Sequence, residues 1–273
     1  MGGRAMRLWI YASLLAIAVG IASWTAVQRH RQTLWLRAYR EASDSLQRGH
    51  YADAEGQLLI LTGNKQPGAH QSALTMNLLA VVYQAEGRRS EAEPLFEKAI
   101  QIFDKERPSS NLDFGKACTN EGRMYLEEGK LQEAEQRLEQ AIAVYRVKPD
   151  LAGVELGGAL HNLGLVRIGQ RRTAEGQVLL EQAVQIYAKN LRPDDLNMAQ
   201  GYLDLAIAYK IGGRPQEAQE MDGKALRIQE QVFGMDSPVT RETRARIKQN
   251  SNREQLQNPQ ASGKPPVQHA KAN

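Results

Sequence analysis

The chain has 273 residues, of which 42% are hydrophobic, 24% charged and only 6% aromatic. This balance permits a hydrophobic core and favours helix over strand. The net charge is +4, but residues 1–40 carry six arginines and no acidic residue. The basic excess therefore belongs to the N-terminal segment, which argues against a nucleic-acid groove. The single cysteine, Cys118, excludes both an intramolecular disulfide and a CxxC motif.

Residues 8–27 form an uncharged run of 20 residues, LWIYASLLAIAVGIASWTAV. As a helix this run would span about 30 Å, the thickness of the hydrocarbon core of a bilayer. Aromatic residues lie near both of its ends, where membrane interfaces favour them. We therefore predict that residues 1–31 form an N-terminal membrane anchor. Small residues with the spacing of a cleavage site leave a signal peptide as the alternative.

Arginines flank the uncharged run on both sides and nearly balance, so the positive-inside rule gives little preference for orientation. A short N-terminal tail retained inside the cell is the commoner arrangement for a single anchor. We therefore expect a single-pass membrane protein whose following domain lies on the extracytoplasmic side.

The rest of the chain repeats itself at a constant step of 42 residues. The equivalent small residues are Ala80, Gly122, Gly164 and Ala206. Each copy continues with a turn, at Gly87, Gly129 and Gly213 in three copies, and then with a second apolar run such as Ala134, Leu138, Ala141 and Tyr145. A fainter first copy precedes these four at an offset of 38 residues. Equal steps with matching residue types indicate a repeat architecture.

Each copy predicts two helices joined by a tight turn. Apolar residues recur three or four positions apart in both halves, and glycine tolerates the left-handed conformation that ends a helix. One helical hairpin cannot bury its own apolar face, so the copies must stack. Three positions depart from the pattern: Arg171 replaces the turn glycine, Gly176 replaces an alanine, and Asp222 replaces an apolar residue. We expect local distortion in the copies that contain them.

The pattern resembles the tetratricopeptide repeat (TPR) family, in its 42-residue kinesin-light-chain form. Residues 120–145 and 205–238 match that form best. The resemblance implies an all-α fold: a right-handed superhelical solenoid of about five helix-turn-helix repeats, preceded by the N-terminal transmembrane helix. We assign residues 34–250 to this solenoid, including a capping helix after Ser237-Pro238. Residues 251–273 are rich in Gln, Asn, Pro and Ala and predict a disordered tail.

No catalytic motif, phosphate-binding loop or metal-ligand spacing is present in the sequence. We therefore expect no enzyme activity, no cofactor, no metal and no nucleic-acid partner. The resemblance implies a concave groove, lined by the first helix of each repeat, which binds a peptide or a helix of another protein. In the family an asparagine two residues before the small Gly or Ala often contacts the ligand backbone. Asn120 and Asn162 match that position, whereas Leu78 and Asp204 depart from it.

The candidate peptide-binding residues are Asn120, Arg123, Asn162, Leu165, Ile207 and Lys210. The resulting hypothesis is a membrane-anchored scaffold for protein–protein interaction, with a role in the assembly or stability of membrane or exported complexes. Two alternatives stay open, a secreted soluble TPR protein and a non-catalytic regulatory subunit of an enzyme complex.

Overall fold

The computed structural model describes residues 2–63, 68–106 and 111–257, with side chains except at 2–13, 15–16 and 250–257. Within these ranges the chain forms eleven α-helices and no strand, in five successive pairs followed by one further helix. The helices are α1 (Gly2–Gln47), α2 (Tyr51–Gly63), α3 (Ala69–Ala85), α4 (Arg89–Lys105), α5 (Leu112–Glu127), α6 (Leu131–Val147), α7 (Gly153–Gly169), α8 (Thr173–Asn190), α9 (Leu196–Ile211), α10 (Pro215–Phe233) and α11 (Pro238–Gln257). The predicted all-α architecture of five helix pairs is confirmed, and the handedness of the solenoid stays a prediction.

The same turn closes all five pairs. Its central residue has a positive φ in each case: Gly49 (77°), Gly87 (78°), Gly129 (74°), Arg171 (63°) and Gly213 (74°). The following N–H donates to the carbonyl five residues earlier, for example from Arg88 to Tyr83 at 2.8 Å. This bond pairs a carbonyl that the end of a helix would otherwise leave unsatisfied. Arg171 adopts the glycine conformation at a steric cost of about 1–2 kcal/mol, so the predicted distortion does not extend to the turn geometry.

The chain divides into two compact units, Met1–Met124 and Tyr125–Asn273. In the first unit, α1 packs on α2 and α3, and α3 packs on α2 and α4. Trp35 of α1 is buried and its indole N–H donates to the hydroxyl of Thr75 at 3.2 Å. The fully buried large side chains around α2 and α4 include Leu58, Phe96 and Phe103. Trp35 therefore attaches α1 directly to the first helix of the next repeat.

In the second unit each helix from α6 to α10 packs on the one that follows it, and α7 also contacts α9. Ala141 and Ala183 are fully buried, as the repeat pattern predicts. Leu138, Tyr145 and Leu180 fill the space beside them with almost no exposed surface. Small and large side chains thus alternate in the core.

The pair α7–α8 has a closer crossing than alanine would allow. A Cβ placed on Gly176 would lie 2.6 Å from the carbonyl oxygen of Gly164, and one placed on Gly164 would lie 2.9 Å from Cγ of Leu180. Both distances are well below normal van der Waals contact. Gly176, which departs from the alanine of the repeat pattern, therefore matches a second glycine on the facing helix.

The last helix, α11, forms where the sequence predicts a capping helix, but it is held by polar contacts. Its buried side chains are Thr240 and Thr243, and none of its described apolar side chains is buried. The Thr240 hydroxyl donates to the carbonyl of Gln229 at 3.4 Å. The helix continues to Gln257, past the predicted start of the tail at residue 251, because this stretch contains strong helix formers. Residues 258–273 of the predicted tail lie outside the described residues.

The first helix runs without interruption from Gly2 to Gln47. The predicted boundary between the anchor and the repeats, at residues 31–34, therefore falls inside one helix, because no glycine or proline occurs between residues 20 and 49. Among the parts of the chain that the structure describes, no helix is long and apolar enough to cross a membrane. The predicted span at residues 8–27 stays a prediction, because many of its side chains lie outside the described ones.

The glycine crossing of α7 and α8 can be tested with two alanine substitutions. Gly176→Ala should lower the free energy of unfolding by about 1–3 kcal/mol, because the new methyl group overpacks against backbone. Gly223→Ala, inside α10, should instead raise it by up to about 1 kcal/mol, because no atom lies within 4 Å of the new Cβ. Urea denaturation followed by circular dichroism measures both. Equal shifts of the same sign would contradict the close crossing.

Candidate functional site

The first helices of the pairs carry all six predicted groove residues. Asn120 and Arg123 lie on α5, within the unit Met1–Met124. The second unit contains the other four, namely Asn162, Leu165, Ile207 and Lys210 on α7 and α9. Each unit therefore presents its own part of the predicted surface.

In the first unit the predicted residues form a small polar surface. Asn120 is half-buried and its amide Nδ2 donates to Oδ1 of Asn77 on α3 at 3.3 Å. Arg123 lies one helical turn further along α5, is half-buried, and forms no ion pair with any described acidic residue. The Asn120 carbonyl oxygen and the Arg123 guanidinium therefore stay available, an acceptor and a cation about one turn apart.

In the second unit Asn162 has a different environment from Asn120. Its side chain is half-buried and forms no hydrogen bond with any described residue. Leu165 follows it by one turn on α7, and the equivalent position on α9 is Ile207, which is 41% exposed. A free amide beside two partly exposed aliphatic side chains suits a ligand that presents both backbone and apolar groups.

The position equivalent to Asn162 on α9 is already occupied by an internal contact. Asp204 is buried, and its Oδ2 lies 2.9 Å from Nε2 of His161 on α7. Gln200 donates a second hydrogen bond to the same oxygen at 2.9 Å. Asp204 therefore joins α7 to α9 and does not serve as a free ligand contact.

Lys210 likewise has a structural partner. Its ammonium lies 2.6 Å from Oδ2 of Asp222, which is almost fully buried in α10. Arg246 of α11 approaches the other carboxylate oxygen of Asp222 at 3.0 Å. A buried carboxylate requires such pairing, so the charge of Lys210 is neutralised within the fold. This contact also explains how the repeat accommodates Asp222 at an apolar position.

A recurring pair of an aromatic and a basic residue at the turns was not predicted. The cation lies over a tyrosine ring in three pairs: Arg88 on Tyr83 at 3.9 Å, Lys130 on Tyr125 at 5.1 Å, and Arg214 on Tyr209 at 4.5 Å. The 42-residue step of both residue types could have revealed it. Burial, followed by the hydrogen bond from the Tyr209 hydroxyl to Glu181, raises the pKa of Tyr209 to about 12.

The turn between α7 and α8 departs from this arrangement. Arg167 takes the place of the tyrosine and is almost fully buried. Its guanidinium pairs with Glu135 and, at 2.8 Å, with Glu139 on α6. Two carboxylates therefore compensate a cation where three of the other pairs have a tyrosine ring.

A concave surface lies beside this turn. It is a shallow cavity of about 470 Å³ on α7 and α8, lined by Leu163, Arg167, Ala174, Glu175, Val178 and Leu179. Its lining is mainly aliphatic. Among the described residues no group of three or more His, Cys, Asp and Glu side chains could hold a metal ion.

The family profile described as Tetratricopeptide repeat matches residues 71–146 and 155–241, which is more than half of the chain. No curated protein matches this chain. These two ranges include all six predicted groove residues.

Several solved structures share the fold. A putative kinesin light chain with nearly identical TPR-like repeats, from Podosopora anserina, is 27% identical, with a TM-score of 0.57 over 72% of this chain and 95% of that chain. BtubC (BKLC) from P. vanneervenii is 20% identical, with a TM-score of 0.61 over 78% and 91%. PilF from Pseudomonas aeruginosa is 18% identical, with a TM-score of 0.56 over 84% and 94%. The last two likenesses concern the fold alone.

The pairing of Asp222 predicts a non-additive response to removal of its two cations. Lys210→Met or Arg246→Met alone should cost about 1 kcal/mol of unfolding free energy, because the other cation still neutralises the carboxylate. The double variant should cost about 3–5 kcal/mol, because it leaves a buried charge unpaired. Denaturant midpoints of the three variants give the comparison. Adding Asp222→Leu to the double variant should recover most of the loss, and strictly additive effects without such recovery would contradict the pairing.

Proposed function

We propose, because this chain belongs to the tetratricopeptide repeat family, that it is a membrane-anchored scaffold that binds another protein. TPR proteins generally mediate protein–protein interaction, and the fold is typically not catalytic. The bound segment would lie on the first helices of the repeats, in contact with Asn162 and Leu165. The observation that carries this proposal is the free, half-buried amide of Asn162 beside partly exposed Leu165 and Ile207.

A half-buried amide without a protein partner favours a ligand that supplies one. An Asn side chain offers one acceptor and two donor hydrogens, which match the N–H and C=O of a peptide backbone. Each such bond contributes about 0.5–1.5 kcal/mol, and its loss inside a desolvated contact costs more. Leu165 and Ile207 would add apolar contact beside it. The chemistry favours a peptide or helix that presents aliphatic side chains.

The anchor is supported by the exposed apolar side chains of α1. Large apolar side chains project around the helix without packing on the repeats, with exposed fractions between 49% and 63%: Leu14, Ile17, Val19, Ile21, Trp24 and Val27. Burying six such side chains would be favourable by on the order of 10 kcal/mol. A helix that is apolar all round requires a surrounding apolar phase, which a bilayer provides.

We further propose that the repeats lie on the extracytoplasmic side of a membrane and support the assembly or stability of membrane or exported complexes. Cleavage at the small residues of the apolar run would instead release a secreted soluble repeat protein. A regulatory subunit of an enzyme would co-purify in fixed ratio with a catalytic chain. The mass of the mature protein and its extractability separate the first two outcomes.

The anchor predicts the behaviour of the full chain during extraction. The wild type should stay in membranes washed with alkaline carbonate and require detergent for release. Ile17→Arg combined with Ile21→Arg should weaken insertion by about 5–7 kcal/mol, because each arginine at the centre of a membrane helix costs about 2.5–3.5 kcal/mol. The matched control, Ile17→Leu with Ile21→Leu, should behave as the wild type. Release of intact wild type by carbonate alone would rule out the anchor.

The proposed groove predicts that Asn162 contributes to the affinity for a partner without contributing to the stability of the fold. A partner is first captured with the detergent-solubilised chain, identified by mass spectrometry and titrated. Asn162→Ala should then weaken binding by about 1–3 kcal/mol, roughly 5- to 150-fold, with an unchanged melting temperature. Gln185→Ala, at an exposed position of α8, is the matched control. Full affinity in Asn162→Ala but loss in Val178→Asp would place binding in the α7–α8 cavity instead.

A further inference from the structure

We infer that the small polar surface of the first unit, formed by Asn77, Asn120 and Arg123 and called its groove below, binds a juxtamembrane segment of another membrane-embedded protein. This inference rests on the proposed anchor and specifies the partner that the proposed scaffold would recognise. It follows from the distance at which the structure holds Asn77, Asn120 and Arg123 from the end of the apolar run.

The first helix sets this distance because it runs without a break from the apolar run into the repeats. It is continuous through Val27, the last residue of the uncharged run, and Trp35. At about 1.5 Å per residue, the level of Trp35 is about 12 Å beyond the level of Val27. Trp35 is buried, stacks on Tyr39 at 5.0 Å and bonds to Thr75, so the helix is fixed to the repeats at this level.

Two hydrogen bonds relate the height of Trp35 above the apolar run to the height of the groove residues. Trp35 bonds to Thr75 of α3, and Asn77 lies two residues further along that helix, about 3 Å higher. Asn120 of α5 donates to Asn77 and therefore lies at the same level. The asparagine pair thus lies about 15 Å beyond the end of the apolar run.

At about 15 Å beyond the end of the apolar run, the asparagine pair would lie close to the surface of a bilayer. The headgroup layer occupies about 5–7 Å beyond the hydrocarbon core on each side, so the pair lies roughly 8–10 Å above the lipid surface. A typical helix tilt of about 20° changes this height only slightly. Helical chain covers about 15 Å in ten residues, and extended chain in about five. A segment within about ten residues of its own membrane-spanning helix would therefore reach the groove.

The groups available in this groove set the chemistry of the segment. The free carbonyl of Asn120 accepts a backbone N–H, and the half-buried Arg123, without a described acidic partner, suits a carboxylate or a helix C-terminus. We therefore expect the juxtamembrane segment to place an acidic side chain or a helix end beside Arg123. A partner in the same bilayer would also gain from its restricted position near the groove.

The height of the groove above the bilayer is tested in vesicles that contain the full chain. Cys118→Ser removes the native thiol, and a donor dye is placed through Arg123→Cys in the groove or Arg48→Cys at the far turn of the first pair. An acceptor dye is carried by lipid headgroups in phosphatidylcholine–phosphatidylglycerol vesicles. The levels of these sites are about 20 and 31 Å above Val27, so energy transfer should be clearly stronger from position 123. Equal or reversed transfer would overturn the inferred position of the groove.

The partner class is tested by changing the height. A photo-crosslinking benzoylphenylalanine replaces Thr119, which is half-buried one turn before Arg123 on α5, so that Arg123 itself is kept. The variant is made in the full chain, in membranes of the source organism. Seven helical residues inserted after Gln32 raise the groove by about 10 Å and restore its facing direction to within about 20°. The yield of crosslinked partner should fall at least fivefold, with unchanged helicity and melting. An unchanged yield would indicate a soluble partner and overturn the inference.

A control separates this inference from the anchor itself. Carbonate extraction is repeated on the wild type and on the insertion variant. If neither resists extraction, the proposed anchor fails, whatever the crosslinks show. If both resist it and the yield does not depend on height, the anchor stands and the juxtamembrane partner is rejected.

Discussion

The rest of the structure depends on one backbone conformation, the left-handed residue at the centre of each helix-helix turn. A positive φ there lets the chain reverse within three residues and pairs a carbonyl of the first helix with an N–H of the second. In three of the five turns the same hydrogen bond brings a tyrosine before the turn close to the basic residue after it, for example Tyr209 and Arg214. The cation then covers the ring, and the second helix leaves each turn in a similar way.

Arg171 indicates how strong this constraint is. The chain accepts a strained conformation at an arginine and keeps the turn, because the helices on either side are held by extensive packing. The same repeat has Arg167 at the position of the turn tyrosine and has two facing glycines, Gly164 and Gly176. In this repeat a closer helix contact and the carboxylates of α6 stand where three of the other repeats have a cation over a tyrosine ring. The repeat is divergent in sequence but regular in backbone.

The helices and their turns could be predicted from the sequence because the repeat depends on local features. Apolar spacing, small residues and turn glycines act within about 40 residues and recur at equal steps. The boundary between the anchor and the repeats could not be predicted, because a helix without glycine or proline has no local signal to end at residue 31. The partners of buried charges were also beyond the pattern. Asp222 is paired by residues of two other helices, Lys210 and Arg246, whose positions follow only from the packed fold.

For the candidate groove, too, the sequence predicted the positions of the residues but not their contacts. Repeat spacing placed Asn120 and Asn162 at equivalent positions, but their surroundings differ, because α3 presents Asn77 to the first while the second has no described partner. Likewise Tyr125 and Tyr209 lie under a cation, whereas Arg167 at the equivalent position pairs with carboxylates of α6. Position within a repeat therefore determines where a side chain lies. Its availability depends on neighbours that differ from one repeat to the next.

The polar attachment of α11 makes the C-terminal end sensitive to ionic strength. This helix buries no described apolar side chain and is held by two threonines, the pair Arg244–Glu230 at 2.6 Å and the pair Arg246–Asp222. The Arg244–Glu230 pair is partly exposed, and mobile ions screen such charges over about 10 Å at 0.1 M salt but about 3 Å at 1 M. Concentrated salt therefore weakens α11 first, while the apolar contacts of α6 to α10 hold. We therefore expect fraying of the repeats to begin at α11 and to increase with salt concentration.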